Sequence, residues 1–155
     1  MKPQDYNCSI AAGVTTKEAF EGINRVSEWW AMGFEGHSQK LNDVFTVRFG
    51  ETFVTFKIVE VEPNRKMVWQ VIDCYLHWIN DKTEWKNTKI VWNISAQNNT
   101  VHVSFTHLGL VPKLECYDNC QTGWDFYVKE SLLKLLTEHK GIPANKTNAG
   151  DNRNN

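Results

Sequence analysis

The segment 100–108 alternates, placing Val101, Val103, Phe105 and His107 on one side and His102, Ser104 and Thr106 on the other. On a concave apolar face, His107 would orient a ligand or move a proton. At a strand end near solvent it would instead bond a backbone group, and a lone histidine without a partner favours that plainer role. Asp73, following Trp69 and Val71 on one side of the segment 66–74, is a candidate partner. His102 faces the other way and cannot share the site. Cys116 and Cys120 stand four apart in a helical pattern, so their sulfurs share a face. They read as half of a soft-metal site, as a redox pair, or as two small buried residues facing a sheet. Zinc takes four ligands and no second Cys/His pair has a matching spacing, so the buried reading is favoured and no metal is expected. The Gly-x-Ser-x-Gly elbow, the His-Glu-x-x-His helix, the Walker loop and the dinucleotide Gly-x-Gly-x-x-Gly are all missing, and no catalytic residue or cofactor is assigned.

The seven tryptophans are the other informative residues. Trp69 and Trp92 fall mid-strand, and Trp124 falls on the apolar face of a C-terminal helix. Together with Phe105, His107, Cys120 and Tyr127 they outline an aromatic lining suited to a flat or greasy ligand. Ordinary core filling uses the same residues. Trp29 and Trp30 are adjacent, so one is expected to pack over the sheet and the other to be partly exposed. Trp78 and Trp85, interspersed with Lys82, Glu84 and Lys86, form either an anchor for a partner or a loop folded onto the edge of the domain, the second being favoured.

The elements that must position these groups are legible in order. Residues 5–12 read as a strand. Thr15 or Thr16 caps a short helix carrying Ala19, Phe20 and Ile23, and a second short helix covers 25–30. Residues 34–41 read as a loop. Strands are expected at 43–49, 53–62, 66–74, 88–96 and 100–108, with a long loop at 76–87. From Lys113 the period becomes helical, with Cys116, Cys120, Trp124, Tyr127, Val128, Ser131, Leu132, Leu135 and Leu136 on one face. Gly123 inside that helix suggests close packing or a kink. Lys140-Gly141 and Pro143 stop it. The expectation is an α+β domain over 1–143, a curved antiparallel sheet around one long C-terminal helix, with a disordered polar tail at 144–155.

Composition narrows the function classes. The 155 residues are 41% hydrophobic and 23% charged with a net charge of −1, which gives no electrostatic case for nucleic acid or a membrane surface. No stretch approaches the roughly 20 apolar residues of a membrane span. The first residues lack the apolar run of a signal peptide, so the chain reads as cytoplasmic, with its four cysteines as thiols and its Asn-x-Ser/Thr sequons without weight.

The order of elements and several short stretches resemble the START-related helix-grip superfamily (SRPBCC). The similarity is to the branch that includes the C-terminal domain of the activator of the heat-shock protein 90 ATPase. The stretches are Thr15-Thr16-Lys17-Glu18-Ala19-Phe20, Trp29-Trp30, and Val44-Phe45-Thr46-Val47-Arg48-Phe49-Gly50. The others are Val61-Glu62-Pro63-Asn64-Arg65-Lys66-Met67-Val68-Trp69, Gly123-Trp124-Asp125-Phe126-Tyr127 and Ser131-Leu132-Leu133. The resemblance implies a helix-grip fold with a cavity between sheet and helix, and a lipophilic small molecule as ligand. It also implies two alternatives: a module that binds a chaperone or another protein, and a cavity enzyme of cyclase or hydrolase type. Nothing here matches the separate chaperone-binding domain of the eukaryotic activator.

Overall fold

The computed structural model describes residues 5–144. Seven strands form one antiparallel sheet in the order β1-β7-β6-β5-β4-β3-β2. They are β1 (Tyr6–Ala12), β2 (Gly33–Gly36), β3 (Val44–Phe49), β4 (Thr52–Glu62), β5 (Lys66–Tyr75), β6 (Lys89–Gln97) and β7 (Thr100–Leu108). Helices α1 (Thr16–Asn24) and α2 (Val26–Trp29) follow β1. The C-terminal helix runs as α3 (Tyr117–Phe126), a π-helical stretch (Tyr127–Leu132) and α4 (Leu133–Glu138). This is the α+β helix-grip architecture expected, with the sheet's inner face closed by the long helix.

Local chemistry explains the elements. The Thr15 hydroxyl accepts from the Glu18 N–H at 3.0 Å, and the Glu18 carboxylate accepts from the Thr15 N–H at 2.8 Å, a reciprocal cap that starts α1. Of the two threonines offered by the sequence, Thr15 is the cap. Asn64 and the Asn98-Asn99 pair adopt positive φ in the β4–β5 and β6–β7 turns, which asparagine tolerates better than most residues. The strands bury alternate residues, and β7 does so over its whole length, from Val101 to His107. Two register shifts in the β4–β5 ladder, between Thr55 and Phe56 and between Ile58 and Glu60, bend the long strands around the helix.

Three segments depart from expectation. Gly33–Gly36, which overlaps the start of the stretch read as a loop at 34–41, is an edge strand pairing β3 from Gly33↔Arg48 to Gly36↔Phe45. Four residues with a single neighbour carry too little alternation to be recognised. The helix begins at Tyr117, with turns at 113–116. Gly123 is not closely packed, since a Cβ there would meet open space. The irregularity lies four residues later, at Tyr127, where the helix slackens into its π register.

The chain after the helix is anchored through Ala144, one residue beyond the expected domain end. Ala144 is fully buried, donates to the Trp30 carbonyl at 2.7 Å and accepts from the Met32 N–H at 2.9 Å. Ser131 in the π-helical stretch ties this region together, donating to the Trp29 carbonyl at 2.7 Å and accepting from the Ile142 N–H at 2.6 Å. The remainder of the expected tail, 145–155, lies outside the described residues.

Candidate functional site

All seven residues expected to line the space between sheet and helix are buried there, with Trp69, Trp92, Phe105 and His107 at 0% exposure. The sheet side is a row of rings. Trp69 meets Trp92 edge-on at 5.5 Å, and Trp92 meets Phe105 edge-on at 4.9 Å. From the helix, Trp124 lies 4.6 Å from Phe105. Cys120 and Tyr127 are buried on the same helix, one before and one after Trp124. The aromatic side chains thus stand in direct contact, each such pair contributing about 0.5–1.5 kcal/mol beyond its area burial.

Three further rings join the cluster. Trp29 and Trp30 are both buried, correcting the expectation that one would be exposed. Trp30 sits at the end of α2 with φ −110°, off the regular helical direction, so its ring turns inward to within 4.8 Å of Trp124. Trp85 is buried too, stacked on Trp124 at 5.9 Å and edge-on to His107 at 4.7 Å. The 76–87 loop carrying it is fastened to the helix start. The Glu84 carboxylate accepts from the N–H groups of Glu115 and Cys116, while the Glu115 carboxylate accepts from those of Asn80 and Asp81. Those bonds hold the Glu115 carboxyl below its ordinary pKa. The mixed charge of the loop hid Trp85, because its charged neighbours are consumed in docking the loop.

His107 lies in the interior, not near solvent. Its Nδ1 accepts from the Trp124 Nε1–H at 3.2 Å, so the ring proton resides on Nε2 and donates to Thr88 Oγ1 at 2.9 Å. Thr88 in turn donates to the Trp85 carbonyl at 2.6 Å. Burial without a charged partner pushes its pKa down to about 3, so the imidazole is neutral. Asp73 is not its partner: it is exposed, and its carboxylate accepts from the Cys74 N–H at 3.0 Å. Across the Thr55/Phe56 shift, Phe56 pairs with Val71 and Thr55 with Asp73, leaving Ile72 as the extra residue. The side alternation is thereby reset, turning Asp73 out and Cys74 in.

Cys116 and Cys120 are both buried, and Cys116 Sγ accepts from the Trp85 Nε1–H at 3.1 Å. Burial pushes the Cys120 thiol up, and Cys116 beside it adds to this. All four cysteines are free. Among the described residues no group of three or more His, Cys, Asp or Glu stands where a metal would be held.

One polar atom in the cluster is unaccounted for. The indole N–H groups of Trp29, Trp69, Trp85 and Trp124 donate to Ile23 O, Met67 Sδ, Cys116 Sγ and His107 Nδ1 respectively. The Trp92 Nε1–H, fully buried among Trp29, Trp69 and Phe105, finds no acceptor among the described residues. An unmet buried donor costs about 1–3 kcal/mol.

No family model matches the chain, and no curated protein matches it. Solved structures do. The Aha1 dimer from Colwellia psychrerythraea superposes with a TM-score of 0.71 at 20% identity, over 89% of this chain and 99% of that one. DynU16, a protein in the dynemicin biosynthetic locus, gives 0.69 at 16% identity, over 90% of this chain and 49% of that one. SSP2350 from Staphylococcus saprophyticus gives 0.69 at 15% identity, over 92% and 99%. These likenesses establish the fold as the Aha1-like helix-grip fold. Among the described residues no helix is long and apolar enough to cross a membrane.

Proposed function

We propose that the chain is a binding domain for a small lipophilic molecule, held between the inner sheet face and the C-terminal helix and bearing one hydrogen-bond acceptor. The observation that carries the reading is the Trp92 Nε1–H, a donor without an acceptor among the described residues, at the centre of an aromatic cluster. A carbonyl or ether oxygen on a flat apolar ligand would satisfy it, and the surrounding rings would supply the apolar contact. Since those rings touch one another, the ligand makes its room by parting them. The π-helical stretch supports this: its Ser131 holds the Trp29 backbone, and the Trp29 ring lies 5.6 Å from Trp92. Stretches of this kind recur at functional positions in helices. The buried neutral His107, with both nitrogens engaged by protein groups, supports a structural role for it in a binder and not proton transfer. The reading places the protein in the cytoplasm with reduced thiols.

Thermal denaturation across a panel of flat ketones, esters and matched hydrocarbons tests the proposal. The acceptor-bearing compounds should raise the melting temperature of the wild type more than the hydrocarbons do, and Trp92→Phe should remove that difference. A panel without any stabilising compound would refute the reading.

A further inference from the structure

The aromatic interior comes nearest to a surface opening at the first strand. A cleft of about 560 Å³ lies along the seam between β1 and the C-terminal helix, with Ser9, Gln121 and Lys129 among its lining residues. Tyr6 and Asp125 line it too. Tyr6 is nevertheless only 4% exposed, because its ring reaches inward and meets Phe105 edge-on at 6.0 Å. Phe105 in turn touches Trp92 at 4.9 Å and Trp124 at 4.6 Å. Along this line two rings, Tyr6 and Phe105, separate the cleft from Trp92.

The outer ring is fastened across the seam. The Tyr6 hydroxyl donates to Asp125 Oδ1 on α3, and Lys129 Nζ stands 4.0 Å from the same oxygen, one turn further along the helix. Burial, with the carboxylate beside it, keeps the phenol protonated, so the donor is always present at neutral pH. The two ends of the bond differ in freedom. The Tyr6 backbone is pinned: its N–H donates to the Leu110 carbonyl at 2.8 Å, and the preceding Asp5 carboxylate accepts from the Gly109 N–H at 2.8 Å. Asp125, by contrast, lies between Gly123, where an added Cβ would meet open space, and the π-helical stretch that starts at Tyr127. Glycine weakens a helix, and a π register interrupts the regular i→i−4 ladder. The turn carrying Asp125 can therefore yield while the strand stays in place.

We infer that the Tyr6–Asp125 hydrogen bond is the latch of the entrance to the interior site. The α3 turn yields, the Tyr6 ring swings out into the cleft, and a flat lipophilic molecule passes Phe105 to reach Trp92. This rests on the binding reading above and adds to it the route and its control. A latch closed both with and without ligand sets the rates of entry and exit and leaves the affinity alone.

The test follows prodan, a flat naphthyl ketone that fluoresces in apolar surroundings, entering the full chain in a stopped-flow experiment. Tyr6→Phe should raise the entry and exit rates together, at least fivefold, with the dissociation constant within twofold of wild type. Asp125→Asn, which keeps a weaker acceptor, should give a smaller rise. Gly123→Ala, which adds a methyl group in open space and stiffens the turn, should lower both rates several-fold. Thr15→Ala, which weakens the fold away from the seam, should leave them unchanged. Without ligand, the Trp92 indole N–H, shielded by burial alone, should exchange with solvent faster in Tyr6→Phe, while the Trp29 N–H, bonded to Ile23 O, keeps its rate. Prodan entering every variant at the wild-type rate would overturn the latch and leave the binding reading intact. Equal acceleration of both indoles would show a general loosening of the fold and would also overturn it. Failure of prodan and of every ketone in the stabilising panel to bind would remove the binding reading, and the entrance with it.

Discussion

Trp124 Nε1 donates to His107 Nδ1 at 3.2 Å, across the junction of the helix and β7. The contact fixes the neutral tautomer of a fully buried histidine, and it makes the grip of the sheet on the helix sensitive to protons. His107 has its pKa lowered to about 3 in the native state, against about 6.5 in the unfolded chain. Above pH 6.5 neither state takes the proton and its contribution to stability is complete. As the pH falls below 6.5 the unfolded chain binds a proton that the native state refuses. Stability should then fall by up to about 1.4 kcal/mol per pH unit, until the native imidazole itself titrates near pH 3. Glu18, Asp43 and Glu115, whose carboxyls are lowered by backbone hydrogen bonds, also lose their contribution in acid. His107→Gln isolates the histidine: urea denaturation between pH 7.5 and 4.5 should give a shallower decline than the wild type. Parallel curves would show that His107 titrates normally.

The Thr15–Glu18 cap is a local device and should behave as one. Thr15→Ala should cost about 1 kcal/mol in chemical denaturation, and Thr15→Ser should restore most of it. A loss of the same size in Thr15→Ser would mean that the methyl group, not the hydroxyl, matters there.

What the sequence revealed follows from how physical constraints write themselves into a chain. The alternation of 100–108 and the helical row through Cys120, Trp124 and Tyr127 needed nothing beyond periodicity, because each element has one wet side. The side of β7 on which His107 stands was readable for the same reason, but its burial was not, since a lone histidine near a strand end favoured a place near solvent. The outward turn of Asp73 was not, since it depends on a register shift that no residue of β5 announces. Trp85 was hidden because Glu84 and Glu115 pair with backbone N–H groups of each other's segments, a contact between stretches about 30 residues apart. That the Trp92 N–H meets no acceptor among the described residues is a property of packing, invisible until its neighbours are placed.

The thiols give a third check. Cys74, Cys116 and Cys120 are buried, and burial pushes Cys74 and Cys120 above the ordinary thiol range. Reaction with a disulfide reagent at pH 7.5 should be negligible for these three in the native protein, with only the half-buried Cys8 reacting slowly, and fast for all four in denaturant. Rapid labelling of Cys116 or Cys120 under native conditions would show that the helix start opens.

The segment after the helix crosses at Gly141, where an added Cβ would collide with the Glu28 carbonyl oxygen. Gly141→Ala should therefore destabilise by about 1–3 kcal/mol, and Ser131→Ala by a similar amount through the loss of its two bonds, to Trp29 and Ile142. The two sites share one contact region, so the double variant should lose less than the sum. Full additivity in a thermal melt would show that the segment docks independently of Ser131.

The central claim concerns a single proton. In the indole region of a ¹H–¹⁵N NMR spectrum, Trp92→Phe assigns the Trp92 N–H by its disappearance. Titrating the best acceptor-bearing compound of the stabilising panel should move that resonance downfield and slow its exchange with solvent, while the Trp29 N–H, bonded to Ile23 O, keeps its place. A Trp92 resonance that stays fixed at saturating compound would contradict the account.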